Sequence, residues 1–136
     1  DTTTVKTLAS NQTTIDLPDN SSVKLNTASS LQFKKGKWEK NREVNLVGEA
    51  YFEVAKGSQF DVNTWLGKIS VLGTQFNVKQ RSNYFEVTCY EGLVSLKYKG
   101  MDIKLPAGKS FKVVGNEVFE IDTKENLPDW SGEANN

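Results

Sequence analysis

Apolar residues recur at every second position along most of this chain. In the stretch REVNLVGEAYFEV, residues 42–54, they fall at 44, 46, 50, 52 and 54. That spacing shares one face of a strand and would scatter around a helix. The segment is therefore a long strand, with Ala50, Phe52 and Val54 on one side and Glu49, Tyr51 and Glu53 together on the other, solvated side. Gly48 interrupts it and marks a bulge or a point of close backbone approach.

The same period continues on both sides. Ile15 and Leu17, then Val23 and Leu25, flank the turn-forming PDNSS and predict a hairpin. Leu31 and Phe33 precede a KKGK turn, and Phe60 and Val62 begin a short strand. Ile69 and Val71 are in odd phase whereas Leu72, Phe76 and Val78 are in even phase, so the pattern flips at Leu72-Gly73, as a chain passing from one sheet to another would require. It flips again at Glu91-Gly92, between Phe85, Val87, Cys89 and Val94, Leu96, Tyr98. Met101, Ile103 and Leu105, then Phe111 and Val113, then Val118, Phe119 and Ile121 follow after further turns. Turn signals about every 8 to 12 residues and roughly ten or more short strands predict an all-β domain. The expected architecture is an antiparallel β-sandwich or jelly-roll-like arrangement, with strands crossing between sheets at Gly73 and Gly92. Residues 1–123 form the domain, and 124–136 turn polar and read as a tail or linker.

Charge and composition then remove function classes. Seventeen basic and seventeen acidic residues leave a chain of 136 residues with no net charge, unlike a nucleic-acid binder. There is no histidine and one cysteine, which excludes an internal disulfide and a Cys/His zinc site. No segment has the roughly 18 apolar residues of a membrane span. The opening Asp1-Thr2-Thr3-Thr4 lacks a Met, so the chain is expected to be a piece of something longer.

The candidate chemistry is sparse. Glu49 and Glu53, four residues apart on one strand, would stand about 13 Å apart, too far for a glycosidase pair by themselves. Without histidine, a Ser or Cys nucleophile lacks its usual base, so no enzyme, cofactor or metal is expected. Cys89 shares parity with Phe85 and Val87 and is expected to be a buried thiol. Gly48, Gly73 and Gly92 sit at breaks in alternation, where bulges explain them better than a phosphate loop. Lys34, Lys35, Lys37, Lys40 and Arg42 surround Trp38 in a basic run read as a solvated loop. Trp38, Trp65, Tyr51 and Tyr84 leave open a second function, a carbohydrate-binding module stacking sugars on exposed rings.

Five segments in order carry a family resemblance: LPDNSSVKLNTASSLQF, REVNLVGEAYFEV, VLGTQFNV, VTCYEGLVSL and LPAGKS. Together, over about Ile15 to Val114, the chain resembles the FecR-like periplasmic domain, in a Bacteroidetes-type form. The residues matching the family's motifs are Gly48, Ala50, Phe52, Val54, Gly73, Thr74, Phe76, Glu91 and Gly92. Asn20 stands where the family usually has Gly, a mild change because Asn tolerates the left-handed conformation. The resemblance implies a transmembrane regulator whose periplasmic domain links a TonB-dependent outer-membrane transducer to an extracytoplasmic-function sigma factor. It implies as partners the receptor's signalling domain and, through a missing cytoplasmic segment, the sigma factor. The membrane would be met only through a missing transmembrane helix, and a further C-terminal domain would follow LPDW. Within this domain the partner-binding candidates are Arg42, Glu49, Tyr51 and Glu53. Arg42, which the family motif carries, has Glu49 as a candidate ionic partner across a turn.

Overall fold

A computed structural model describes residues 2–131. The strands are β1 (Thr3–Lys6), β2 (Thr13–Asp16), β3 (Ser22–Leu25), β4 (Ser30–Phe33), β5 (Arg42–Glu53), β6 (Phe60–Asn63) and β7 (Gly67–Val71). They continue as β8 (Gln75–Arg81), β9 (Tyr84–Glu91), β10 (Leu93–Tyr98), β11 (Met101–Pro106), β12 (Lys109–Val114) and β13 (Glu117–Asp122). Two single-turn 3-10 segments, Lys35–Lys37 and Asp129–Ser131, lie outside them.

All 13 strands belong to one curled sheet, which closes over itself into two leaves because β5 belongs to both. One leaf runs β1-β4-β5-β6-β7-β10-β11 and the other β2-β3-β5-β8-β9-β12-β13. Residues Val44 to Val47 of β5 pair with β4 in the first leaf, and Ala50 to Glu53 pair with β3 in the second. The handover falls at Gly48, whose φ is +103°. A Cβ there would lie 2.9 Å from Ser29 Cα, so only glycine fits the bend. Once β5 has passed into the second leaf, the chain returns as β6 beside the first half of β5. This makes β5–β6 the parallel pair among otherwise antiparallel neighbours, and the far half of β5 serves as the crossover that parallel pairing needs.

The two predicted crossings, at Gly73 and Gly92, are also present. β7 pairs in the first leaf and β8 in the second, with Gly73 between them. β9 pairs in the second and β10 in the first, with Gly92 between them. Gly92 has φ +92° and a Cβ there would meet Gly73 O at 2.9 Å, so the two crossings lie against each other. The register shift beside Phe76 leaves Tyr90 as an extra residue between Glu91 and Cys89, a bulge. Leu72, placed inward by phase alone, is exposed, because it lies in the crossing rather than on a strand.

Between the leaves sits one core. Phe52, Phe60, Phe76, Phe85 and Phe111 are fully buried in it, and Phe52 stacks on Phe76 at 4.9 Å. The even-numbered face of β5 points into this core from end to end, as its alternation predicts. Asn20 adopts φ +71° in the β2–β3 turn, the left-handed conformation expected of the residue replacing a family glycine.

Candidate docking surface

Glu49, Tyr51 and Glu53 project in a row from the outer face of the second leaf, but only Glu53 is exposed. Glu49 is buried, and each of its oxygens accepts an amide proton. Asn26 Nδ2 donates to Oε1 and Asn77 Nδ2 to Oε2, both at 2.9 Å. Tyr51 is buried edge-on against Tyr90, with ring centroids 6.1 Å apart. Its hydroxyl lies 3.4 Å from Glu53 Oε2 and 3.3 Å from Gln75 Oε1. Burial first, and then the Glu53 charge, push the phenol well above its ordinary range.

What covers this row is the segment following β13. Trp130 Nε1 donates to Asn77 Oδ1 at 3.2 Å, so one asparagine joins the buried acid to the indole. Lys24 Nζ donates to Ser131 O at 3.0 Å, and Pro128 is buried. The first part of the segment expected as tail or linker thus lies strapped over β3, β5 and β8; residues 132–136 fall outside the described residues. A cleft of about 460 Å³ opens beside the strap, lined by Lys24, Tyr51, Glu53 and Leu127 among others. The solvated row expected from sequence is corrected to a strapped row with one open carboxylate.

Arg42 is not part of that row, and its acid is not Glu49. It has inward parity at the start of β5 and is buried. Its Nη1 donates to Asp19 Oδ2 at 2.6 Å and to Ala55 O at 2.9 Å, its Nη2 donates to Ser58 O, and its guanidinium lies over the Phe60 ring. Burial pushes the Asp19 carboxyl up. Hydrogen bonds from Arg42 and Ser21 outweigh that and hold it below its ordinary value. The cluster staples the β2–β3 turn to the loop after β5. Parity excludes Glu49 as the partner: adjacent odd and even positions on a strand point to opposite faces.

The aromatic candidates divide. Trp38 is buried, edge-on to Phe33 and Phe60 at 5.8 and 5.7 Å, and offers no open ring to a sugar. Trp65 is 80% exposed on a turn pinned by Thr64, whose Oγ1 accepts from Gly67 N and donates to Gly67 O. Cys89 is buried as expected, and burial pushes its thiol up to about 11. Thr74 Oγ1 donates to Leu93 O at 3.2 Å across the paired crossings. A pocket of about 380 Å³ lies there, walled by Leu72, Gly73, Thr74 and Leu93 among others.

The model of the FecR protein family matches residues 3–95. The chain belongs to the FecR family. That match takes in the Arg42 clamp, the three crossings and the Glu49–Glu53 row, and stops inside β10, before β11 to β13 and the strap. Two crystal structures of a Parabacteroides distasonis ATCC 8503 protein assigned as an anti-sigma factor superpose on the FecR chain. One has TM-score 0.84 and 25% identity over 90% of this chain, the other TM-score 0.84 and 24% identity over 89%. The chain spans 60% of each of those proteins. No curated protein sequence matches it.

Sequence reasoning missed Asp19, Asn26, Asn77 and Trp130, the residues that hold the two clusters together. All four stand inside LPDNSSVKLNTASSLQF, VLGTQFNV or LPDW, but nothing in their spacing names their partners.

Proposed function

We propose that this chain is a periplasmic signal-relay domain of an anti-sigma factor, coupling a TonB-dependent outer-membrane transducer to an extracytoplasmic-function sigma factor. The observation that carries this reading is the family match over residues 3–95, which runs through both leaves and every crossing. The likeness to the Parabacteroides distasonis structures assigned as an anti-sigma factor supports it. Glu53 and the cleft beside the strap form the docking surface for the receptor's signalling domain. Glu49 and Tyr51 act beneath it by holding the strap, and Arg42 by fixing the turn that enters β3. The sigma factor and the membrane are met through other segments of the full-length protein.

The test is a sigma-dependent reporter in the source cell. Deleting the full-length regulator should change reporter output, in either direction, and an unchanged output removes the relay reading. Glu53→Lys in the intact protein should blunt the response to the inducing signal while leaving the domain's melting curve in place. A normal response with Glu53 reversed removes this carboxylate from the docking surface and leaves the relay reading standing.

A further inference from the structure

The curled sheet has four free edges, and three of them are guarded. β1 and β2 are four residues each, too short to template much pairing. β11 carries Lys104 and ends in Pro106, both devices that blunt an edge. The fourth edge, β13, is six residues long with no lysine, proline or bulge, and every residue on it is exposed. Val118, Phe119 and Ile121 are 47%, 41% and 44% exposed. Among the described residues nothing pairs with its outer side.

The backbone of β13 is presented in a defined way. Val114 and Glu117 close a two-residue hairpin at Gly115-Asn116, so that pair is hydrogen-bonded and the pairing alternates from there. Glu117, Phe119 and Ile121 therefore bond to β12. The N–H and C=O groups of Val118, Glu120 and Asp122 point to the free edge. The side chains add a charge preference: Glu120 and Asp122 share one face with Val118, while Glu117 lies on the other with Phe119 and Ile121. Lys109 Nζ sits 2.5 Å from Asp122 Oδ1, leaving Glu117 and Glu120 as the edge's open acids. The only charges a second copy of the same strand could bring are acids, and like charges across a strand pair are unfavourable.

We infer that β13 is a strand-addition site for an extended segment of a partner protein in which basic residues alternate with β-branched apolar ones. Main-chain bonds to Val118, Glu120 and Asp122 supply the affinity; with the partner's apolar residues beside Phe119 and Ile121, its cations fall on the face of Glu120 and Asp122 and supply the choice. This goes beyond the relay reading and does not depend on it: the site lies outside the family-matched residues and on a different strand from Glu53.

The experiment uses the 136-residue chain and a fluorescein-labelled peptide of alternating lysine and valine or isoleucine, followed by anisotropy and by amide exchange. Expected is saturable binding that protects the Val118 and Glu120 amides, and weakening of at least tenfold for the same peptide with glutamate in place of lysine. Glu120→Pro should abolish binding without unfolding the domain, because that N–H faces outward and takes no part in the β12 ladder. Glu120→Lys with Asp122→Lys should reverse the preference to the glutamate peptide, a readout that holds even if the proline variant folds poorly. No binding, binding that ignores the charge reversal, or protection elsewhere than β13 overturns the inference. Concentration-dependent dimerisation through β13 overturns it too, by making a second copy the occupant.

Discussion

Asp19 and Arg42 meet at 2.6 Å, joining the β2–β3 turn to the first residue of β5. Arg42 is almost wholly withdrawn from water, so its charge depends on that carboxylate and on the Ala55 and Ser58 carbonyls. Removing one partner of a buried pair leaves the other charged and unmatched, which costs far more than the pair gains.

Asp19→Asn should therefore destabilise the domain by about 3 kcal/mol at neutral pH, the low end for such pairs because Asp19 keeps some contact with water. The pH dependence follows from the folded carboxyl lying below its ordinary value. The unfolded chain takes up the proton first, so the pair's contribution is complete above roughly pH 4 and is lost as pH falls through the lower folded value. Urea midpoints of parent and variant should differ most at neutral pH and converge in acid. Equal midpoints at pH 7 would show that the pair contributes nothing.

Gly48→Ala forces a side chain onto φ +103° and into Ser29. A conformation that L residues rarely adopt costs about 1 to 3 kcal/mol, and the Ser29 contact adds to it. Adding Ser29→Gly removes the Oγ and Cβ contacts but leaves Ser29 Cα 2.9 Å from the new Cβ and Glu49 N without its Ser29 Oγ acceptor, so the double variant should stay less stable than the parent. Chemical denaturation of the three proteins measures the loss at Gly48 and whether the second substitution recovers any of it. A single variant as stable as the parent would mean that β5 can change leaf without glycine.

The parts of this fold legible in the sequence are those that depend on period. Ala50, Phe52 and Val54 alternate, so their shared inward face could be read directly, and the phase flips around Gly73 and Gly92 disclosed the crossings. What was not legible depends on segments far apart in the chain. Glu49 and Tyr51 look solvated by alternation, and they are buried because residues near 130 lie over them. Arg42 looked able to reach Glu49, but parity put its guanidinium on the other side, where Asp19 waits some 23 positions earlier. Val118, Phe119 and Ile121 look like a core strand by composition. They are exposed because β13 is the last strand of its leaf, and an edge leaves no mark on hydrophobic pattern.

Among the described residues, the strap is held by the Trp130 indole hydrogen bond, the Lys24 contact to Ser131 and the burial of Pro128. Trp130→Phe keeps the ring but leaves Asn77 Oδ1 without its 3.2 Å donor, and should cost about 1 kcal/mol. Because Asn77 also donates to Glu49, and Glu49 accepts from Asn26, the side-chain amide signals of both asparagines should move together in a nitrogen–proton spectrum. Movement confined to residues near 130 would mean that the strap and the buried acid are not linked through Asn77.

Cys89 should be silent toward thiol reagents in the native domain. Its side chain is fully buried between Phe85 and the second crossing, and its sulfur lies 3.7 Å from Glu91 O and 3.5 Å from Gly92 O. Burial lifts the thiol to about 11, with hydrogen bonds to the backbone opposing only part of that rise. At pH 8 the native thiolate is then roughly one part in a thousand, and it is the thiolate that reacts. Labelling should track the equilibrium population of the opened domain, accelerating with urea in step with unfolding and with pH only as the thiol of the opened chain ionises. Trp130→Phe, which loosens only the strap on the outer face, should leave the labelling rate close to that of the parent once the small change in stability is allowed for. Gly48→Ala, which strains the strand that holds the leaves together, should raise it by more than tenfold, the ratio that corresponds to about 1.4 kcal/mol of lost stability. Fast labelling of the parent without denaturant would mean that the crossing at Gly92 opens on its own, apart from the core.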